Sequence, residues 1–409
     1  MNFYRINDKY VFSKFHFDGF EEILEDSINK ADYLYYLTKM DPKISRRGFV
    51  LTSLSQLYSE GENLSLLVEE DIDFEIPNWI VSLFHNKKIK VININYENWR
   101  DELLPLPSKW RINVMALGDV GSTLTMGLRL LGNNIDIGIY DRSKERLQRW
   151  EYELNQIRIP FKETQLPKVR IINEEDLFNC DMFVFCASKG IPPVGTSNVD
   201  VRMVQFESNS QIISEYAKLA REKNFKGIFS VVSDPVDPLC KVAFLESNKD
   251  QNGNFDFNGL GANQIIGYGL GVMNARACYY SELDPKLDSY LYDGQVFGPH
   301  GQGLIVVNSM LNYDEELSNS LTEKTLNANL EVRKLGFKPY VAPSLSSGAL
   351  SILATINGEY FYGSSLMGEA FIGAKMRLTN MGIEIPRYKM QEKLFNKLCE
   401  TYNQLRSIK

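Results

Sequence analysis

The stretch RINVMALGDVGSTLTMGLRLLGNNIDIGIYDR, from Arg111 to Arg142, decides how the rest of the chain is read. Ile112, Val114 and Met115 form a short apolar run that predicts a strand, Gly118 and Gly121 fall in a turn, and Thr123 to Leu131 continues as an apolar helix. A second strand is expected from Ile135 to Tyr140, closed by Asp141. This order of strand, glycine turn, helix and strand suits a dinucleotide. Backbone amides at a helix N-terminus receive the pyrophosphate, glycines let it approach, and an acid about 20 residues on binds a ribose diol. The expected cradle is therefore Gly118, Asp119, Val120, Gly121 and Asp141. Ala116 stands where the first glycine of the G-x-G-x-x-G pattern belongs, and its methyl is expected only to tighten the turn.

Working outward, 409 residues are enough for two or three domains with a sizeable core. A net charge of -7 and a pI near 5.3 give no reason to expect nucleic acid or an anionic membrane as a partner, so small-molecule chemistry is expected. No apolar run approaches the roughly 18 residues that a membrane span needs, and the N-terminal MNFYRINDKY has no secretory pattern. A cytoplasmic protein is expected. Cys180, Cys186, Cys240, Cys278 and Cys399 are scattered without C-x-x-C spacing, which predicts free, mostly buried thiols and no metal site.

Before the glycine turn, the pattern alternates. Strands are expected at Tyr10–Phe15, Tyr33–Leu37, Leu64–Val68 and Ile89–Ile94, and helices at Phe20–Ala31 and Pro77–His85, which together make a small α/β domain over residues 1–108. His16 and His85 lie among aromatics and read as packed or partly exposed imidazoles. The prolines at Pro105 and Pro107 stiffen a connector. After the turn, a helix is expected at Ser143–Ile157, strands at Val169–Ile172 and Asp181–Cys186, a helix at Val201–Lys223, and a strand at Gly227–Val232. Residues 109–238 thus read as a Rossmann-type, doubly wound parallel sheet. The glycine- and proline-rich segment from Ala187 to Ser197 suits a movable loop at the carboxyl end of a strand. Lys249 to Asp256 superficially resembles a calcium loop but has too few carboxylates, and reads as a turn.

Four motifs in order then resemble the L-lactate and malate dehydrogenase family, from about Arg111 to the C-terminus. They are the turn Gly118 to Thr123, the segment Ser233 to Asp237 (SDPVD), the run Ile266 to Arg276 (IGYGLGVMNAR) and the turn Phe297 to Gly301 (FGPHG). The closing β elements, Gly368–Lys375 and Asn380–Ile385, and a C-terminal helix from about Lys389 also look like the family's. The resemblance implies an α+β substrate domain over residues 239–409, NAD as cofactor, and a homodimer or homotetramer. It also implies roles for particular residues. His300, the only histidine in this half of the chain, would move the proton, since imidazole titrates near neutral pH. Arg276 would clamp the substrate carboxylate with its guanidinium fork. Arg202 would polarise the carbonyl. Asn209 matches a family asparagine at the substrate, and Ala187 and Ser233 would lie along the cofactor. Asp141 favours NAD over NADP, although Arg142 beside it pulls the other way.

Two departures stand out. The family places an aspartate, three residues before the clamp arginine, against the histidine; here that residue is Met273. Asn274 could accept a hydrogen bond but brings no charge. Asp234 replaces the family's asparagine at the nicotinamide, so the carboxylate is expected to have relocated, with Asp234 supporting His300 from the opposite side of the pocket. Ile191, Pro192, Pro193 and Val194 suggest an apolar lid, which leans away from a second substrate carboxylate, while Lys189 leans towards one. The expected function is NAD-dependent interconversion of a 2-hydroxy acid and a 2-oxo acid. A non-catalytic, NAD-responsive binding or regulatory protein is the alternative. A third reading, an NAD-dependent glycosidase using a metal and Cys240 or Cys278, fits the FGPHG turn less well.

Overall fold

The computed structural model describes residues 1–28, 31–70, 76–163, 165–189 and 201–408, with side chains from Gln205 onward in the last stretch. Its N-terminal part is a six-stranded mixed sheet. The strands are β1 (Asn2–Ile6), β2 (Lys9–Ser13), β3 (Glu21–Glu22), β4 (Leu34–Thr38), β5 (Gly48–Val50) and β6 (Ile89–Asn93), in the order β3-β1-β2-β4-β6-β5, with helix α1 (Asn78–His85) before β6. Two expectations fail here for packing reasons. The described part of Phe20–Ala31 holds no α-helix: the Phe20 ring meets those of Tyr4, Phe17 and Trp99, Glu21–Glu22 pair with β1 as an edge strand, and only a 3-10 turn follows at Glu25–Ser27. Leu64 to Val68 is not a strand either. Leu64, Leu66 and Leu67 are all buried, which alternation cannot achieve, and a 3-10 turn capped by Asn63 buries them together.

The second sheet has nine strands. Its parallel half comprises β7 (Trp110–Met115), β8 (Ile135–Tyr140), β9 (Val169–Ile171), β10 (Met182–Phe185), β11 (Ile228–Val231) and β12 (Ile265–Gly267), in the order β9-β8-β7-β10-β11-β12. This is the doubly wound Rossmann order, which leaves a crevice where it reverses at β7 and β10. Helices α2 (Asp119–Leu131), α3 (Lys144–Gln156), α4 (Val201–Glu222) and α5 (Val236–Ser247) connect the strands. All four residues of β10 are buried, as a strand covered on both faces requires. The helix after the glycine turn starts four residues earlier than its apolar run suggests, because Gly118 is itself the N-cap.

Helix α6 (Leu270–Leu283), the short α7 (Tyr290–Asp293), the hairpin β13 (Gln295–Phe297) and β14 (Ile305–Val307), and α8 (Glu315–Lys334) follow. Next come a π-helical turn (Pro343–Ala349), α9 (Leu350–Ile356), and the antiparallel β15 (Phe361–Met367), β16 (Ala370–Thr379) and β17 (Gly382–Glu384). Helix α10 (Glu392–Ser407) closes the chain. Strand β15 pairs with β12, so the antiparallel strands extend the Rossmann sheet instead of forming one of their own. The division expected at residue 238 falls inside α5, and the sixth parallel strand comes after it. Lys249 and Phe255 bridge across a turn, as expected of that insert.

The N-terminal sheet is fastened to this body by buried polar groups. Arg47 donates to Glu102 at 2.9 Å and to Asn98 and Gln264, both at 2.8 Å, while Lys90 lies 2.7 Å from Glu102. Arg387 donates to the carbonyls of Ser65 and Val68. Removing one partner of such a network leaves an uncompensated buried charge, so the two parts are held as one unit. All five cysteines are free; Cys180 and Cys240 are buried and the other three partly so. Among the described residues, no helix is long and apolar enough to cross a membrane.

Candidate active site

The cradle forms where β7 runs into α2. Gly121 faces the turn so closely that a Cβ there would lie 2.0 Å from the Ala116 carbonyl oxygen, so any side chain would force the turn open. Gly118 faces open space, and no side chain caps the first turn of α2. Uncapped amides at the start of a long helix fit a pyrophosphate. Ala116 corrects an expectation. It sits at φ +71°, in the left-handed region, so its methyl strains the turn instead of merely tightening it.

Asp141 lies at the end of β8 and is nearly buried. It accepts from the backbone N–H of Leu117 at 2.8 Å and of Ser143 at 2.9 Å, and pairs with Arg146 at 3.1 Å. Arg146 Nη1 reaches both carboxylate oxygens, at 3.1 and 3.3 Å, so a ribose hydroxyl would displace this half-exposed guanidinium to reach Asp141. Asp119 turns away from the turn to pair with Lys338 at 3.0 Å, and Val120 is half-buried beside it.

At the carboxyl ends of β10 and β11, the loops are stitched together. Ser233 donates to the Ala187 carbonyl at 2.6 Å. Asn209, fully buried on α4, accepts from the Lys189 N–H at 3.0 Å and donates to the Asp234 carbonyl at 2.8 Å. Its amide therefore holds the two loops in place. The Arg202 side chain and the lid residues Ile191 to Val194 lie outside the described residues.

The turn after β13 brings His300 to the same edge. Its backbone N–H donates to Asp237 at 3.1 Å, its Nδ1 lies 2.7 Å from the Gly269 carbonyl oxygen, and its Nε2 lies 3.8 Å from Asp234 Oδ1. A carbonyl oxygen only accepts, so Nδ1 carries the hydrogen and Nε2 of the neutral ring is bare. His300 is mostly buried, at 18% exposure, whereas Asp234 is 56% exposed, so solvent weakens the pairing between them. Sequence reasoning anticipated this meeting. It missed Asp237, which burial raises to about 6 against the opposing hydrogen bond from the His300 N–H. Its only signal was its place in the SDPVD segment.

Arg276, partly buried on α6, makes no ion pair with a carboxylate among the described residues; its nearest polar contact is Met273 Sδ at 3.6 Å. Burial pushes its pKa down, and the field of Asp234 is among those opposing this. A half-buried guanidinium with no carboxylate partner among the described residues suits an anionic ligand. Met273 is buried in the core of its own helix. Asn274 does not serve His300: its Oδ1 accepts from the Tyr290 hydroxyl at 2.8 Å, on the other side of α6. Burial pushes the Cys240 thiol well above its ordinary value, and among the described residues no cluster of His, Cys, Asp and Glu could hold a metal ion.

Residues 110–256 match the family model described as lactate/malate dehydrogenase, NAD binding domain. A malate dehydrogenase of Sulfurisphaera tokodaii is 24% identical over 231 residues, covering 56% of this chain and 66% of that protein. An L-lactate dehydrogenase of Borrelia hermsii is 23% identical over 325 residues, covering 73% of this chain and 96% of the relative. Among solved structures, a lactate dehydrogenase from a Medee basin deep-sea metagenome library aligns with a TM-score of 0.60 at 21% identity, over 73% of this chain and 97% of that one. The malate dehydrogenase from Archaeoglobus fulgidus in complex with NADH aligns with a TM-score of 0.57 at 19% identity, over 72% and 97%.

Proposed function

We propose that this chain, a relative of the lactate and malate dehydrogenases with an additional N-terminal domain, is an NAD-dependent oxidoreductase acting on CH–OH, which interconverts a 2-hydroxy acid and a 2-oxo acid. The observation that carries this reading is the setting of His300: Nδ1 is committed to a carbonyl, which leaves Nε2 without a hydrogen 3.8 Å from Asp234, while Arg276 makes no ion pair among the described residues.

The first turn of α2, Gly118, Gly121 and Asp141 would hold the cofactor, with Ala187 and Ser233 along its path. When bound, the cofactor would supply the hydride-transfer chemistry at carbon 2 of the substrate. His300 Nε2 takes the proton of the substrate hydroxyl in the oxidising direction and returns it to the carbonyl oxygen in the reducing one. Asp234 stabilises the positive charge that His300 gains, which is half of what the family aspartate would do from position 273. Arg276 binds the carboxylate through two parallel N–H donors and thereby orients carbon 2. Arg202 is assigned to the substrate carbonyl and Asn209 to the loops around it. Cytoplasmic residence and assembly into a homodimer or homotetramer belong to the same reading.

Met273, an apolar residue where an orienting acid is expected, favours the second reading of a binding or regulatory protein. A panel of 2-oxo acids assayed with NADH at the nicotinamide absorbance separates the two. At least one oxo acid is expected to be reduced, with His300→Ala losing roughly 10²- to 10⁴-fold in kcat while still binding NADH. In the same panel, Asp234→Asn should lower kcat more than it raises KM. NADH binding without reduction of any oxo acid would establish the regulatory reading.

A further inference from the structure

We infer that Ser347 is a positioning residue for His300, acting through the main-chain carbonyl of Gly269. The inference rests on the reading of His300 as the proton-transfer group, and it names what does the orienting work once an acid at position 273 is gone.

Gly269 is the N-cap of α6, and its carbonyl oxygen accepts two hydrogen bonds of 2.7 Å, one from His300 Nδ1 and one from the Ser347 hydroxyl. The same hydroxyl accepts from the Val272 N–H at 2.8 Å, an amide in the first turn of α6 that no residue of its own helix can satisfy. Ser347, at 2% exposure, therefore ties down both the carbonyl that His300 reads and the helix end that carries it. The contact depends on close approach. Ser347 lies in the π-helical turn Pro343–Ala349, and a Cβ on Gly271 would be 2.6 Å from the Ser346 carbonyl oxygen. The wider π turn presents the serine hydroxyl to α6 across this gap. On its other side, the turn packs Leu345 and Ala349 into the core that holds Leu124 of α2, so it is wedged between the cofactor-cradle helix and the helix of Arg276.

The consequence concerns the tautomer. A neutral imidazole in water prefers its hydrogen on Nε2, which would occupy the nitrogen that has to accept the substrate's proton. The Gly269 carbonyl reverses that preference, and Ser347 keeps the carbonyl aimed. The work that one carboxylate does in the family is here divided. Gly269 and Ser347 orient the ring, and Asp234 supplies the charge.

The test is nitrogen NMR of the imidazole rings in the free protein, above the pH at which they are charged. Only His16, His85 and His300 contribute, and a His300→Gln spectrum assigns the third. Wild type is expected to show His300 protonated at Nδ1. Ser347→Ala, and Ser347→Cys, which keeps the shape but is a weak donor, should lose that selectivity and lower kcat about tenfold or more, with KM for NADH unchanged. Retention of the Nδ1–H form in both variants overturns the inference, whatever happens to kcat. If a variant does not fold, a wild-type ring protonated at Nε2 overturns it equally. A tautomer that responds as expected in a protein that reduces no oxo acid would leave the positioning role standing and remove the dehydrogenase reading instead.

Discussion

The cofactor cradle and the pocket around His300 lie on one edge of one sheet, yet they are specified differently. The cradle is a matter of backbone. Gly121 admits nothing larger, Asp141 holds the Leu117 amide, and the start of α2 is left uncapped. The pocket is a matter of partners brought from afar, with Asp234 from the β11–α5 turn, Asp237 from the first turn of α5, Gly269 from the start of α6, Ser347 from the π turn and His300 from the β13–β14 turn. A site built on backbone sterics tolerates few alternatives. A site built on converging side chains can hand one residue's role to another.

The largest effect should come from breaking the cradle. Gly121→Ala places a methyl 2.0 Å from the Ala116 carbonyl oxygen, which must move by more than an ångström to admit it. Displacement on that scale is expected to cost at least roughly a hundredfold in kcat/KM for NADH and a further 1–3 kcal/mol or so of stability through overpacking. Steady-state kinetics and urea unfolding read the two losses. A variant with wild-type kcat/KM would show that the turn is not where the cofactor binds.

The same contrast governs what could be read from the sequence. Strand β8 and the end of the helix before it were legible to the residue, because apolar period is a local signal, whereas the helix start was read four residues late. Asp234 could be placed at His300 because a missing charge asks for a replacement. Gly269 and Ser347 could not be found this way: a carbonyl has no side-chain signature, and a serine in a run of small residues looks like packing. Asn274 was a wrong candidate because its neighbour Tyr290 claims it, a contact across 16 positions of sequence. In the N-terminal sheet, the aromatic cluster around Phe20 overrode the helical period of Phe20–Ala31.

A smaller effect separates the pocket's buried acid from the rest. Asp237 is raised from 3.8 to about 6 by burial, so the folded protein holds this proton more tightly than the unfolded chain does. Its contribution to stability is complete below about pH 4 and is lost as the pH climbs to about 6, where the folded state must carry a buried carboxylate. Asp237→Asn imitates the protonated acid and keeps an oxygen for the His300 N–H. Relative to wild type, it should gain on the order of 2–3 kcal/mol above pH 6, a difference that closes towards pH 4. Urea unfolding at pH 4 and pH 7 measures it. A gap that is the same at both would mean that Asp237 is ionised throughout and that its partners, not burial, set its state.

The smallest effect returns to the cradle and tests whether backbone geometry governs it. Ala116 at φ +71° bears the left-handed penalty of an L residue, about 1–2 kcal/mol, which glycine does not. Glycine's greater freedom in the unfolded chain offsets part of that relief, by roughly 0.5–1 kcal/mol. Ala116→Gly should therefore stabilise the protein by about 0.5–1 kcal/mol, visible as a shift in the urea midpoint at unchanged slope. Gly121→Ala and Ala116→Gly exchange the same two residue types five positions apart and are expected to act in opposite directions. That opposition is the signature of a turn fixed by sterics at each position. Destabilisation by both would place the strain in side-chain packing around the turn, and the cradle would then be specified in the same way as the pocket.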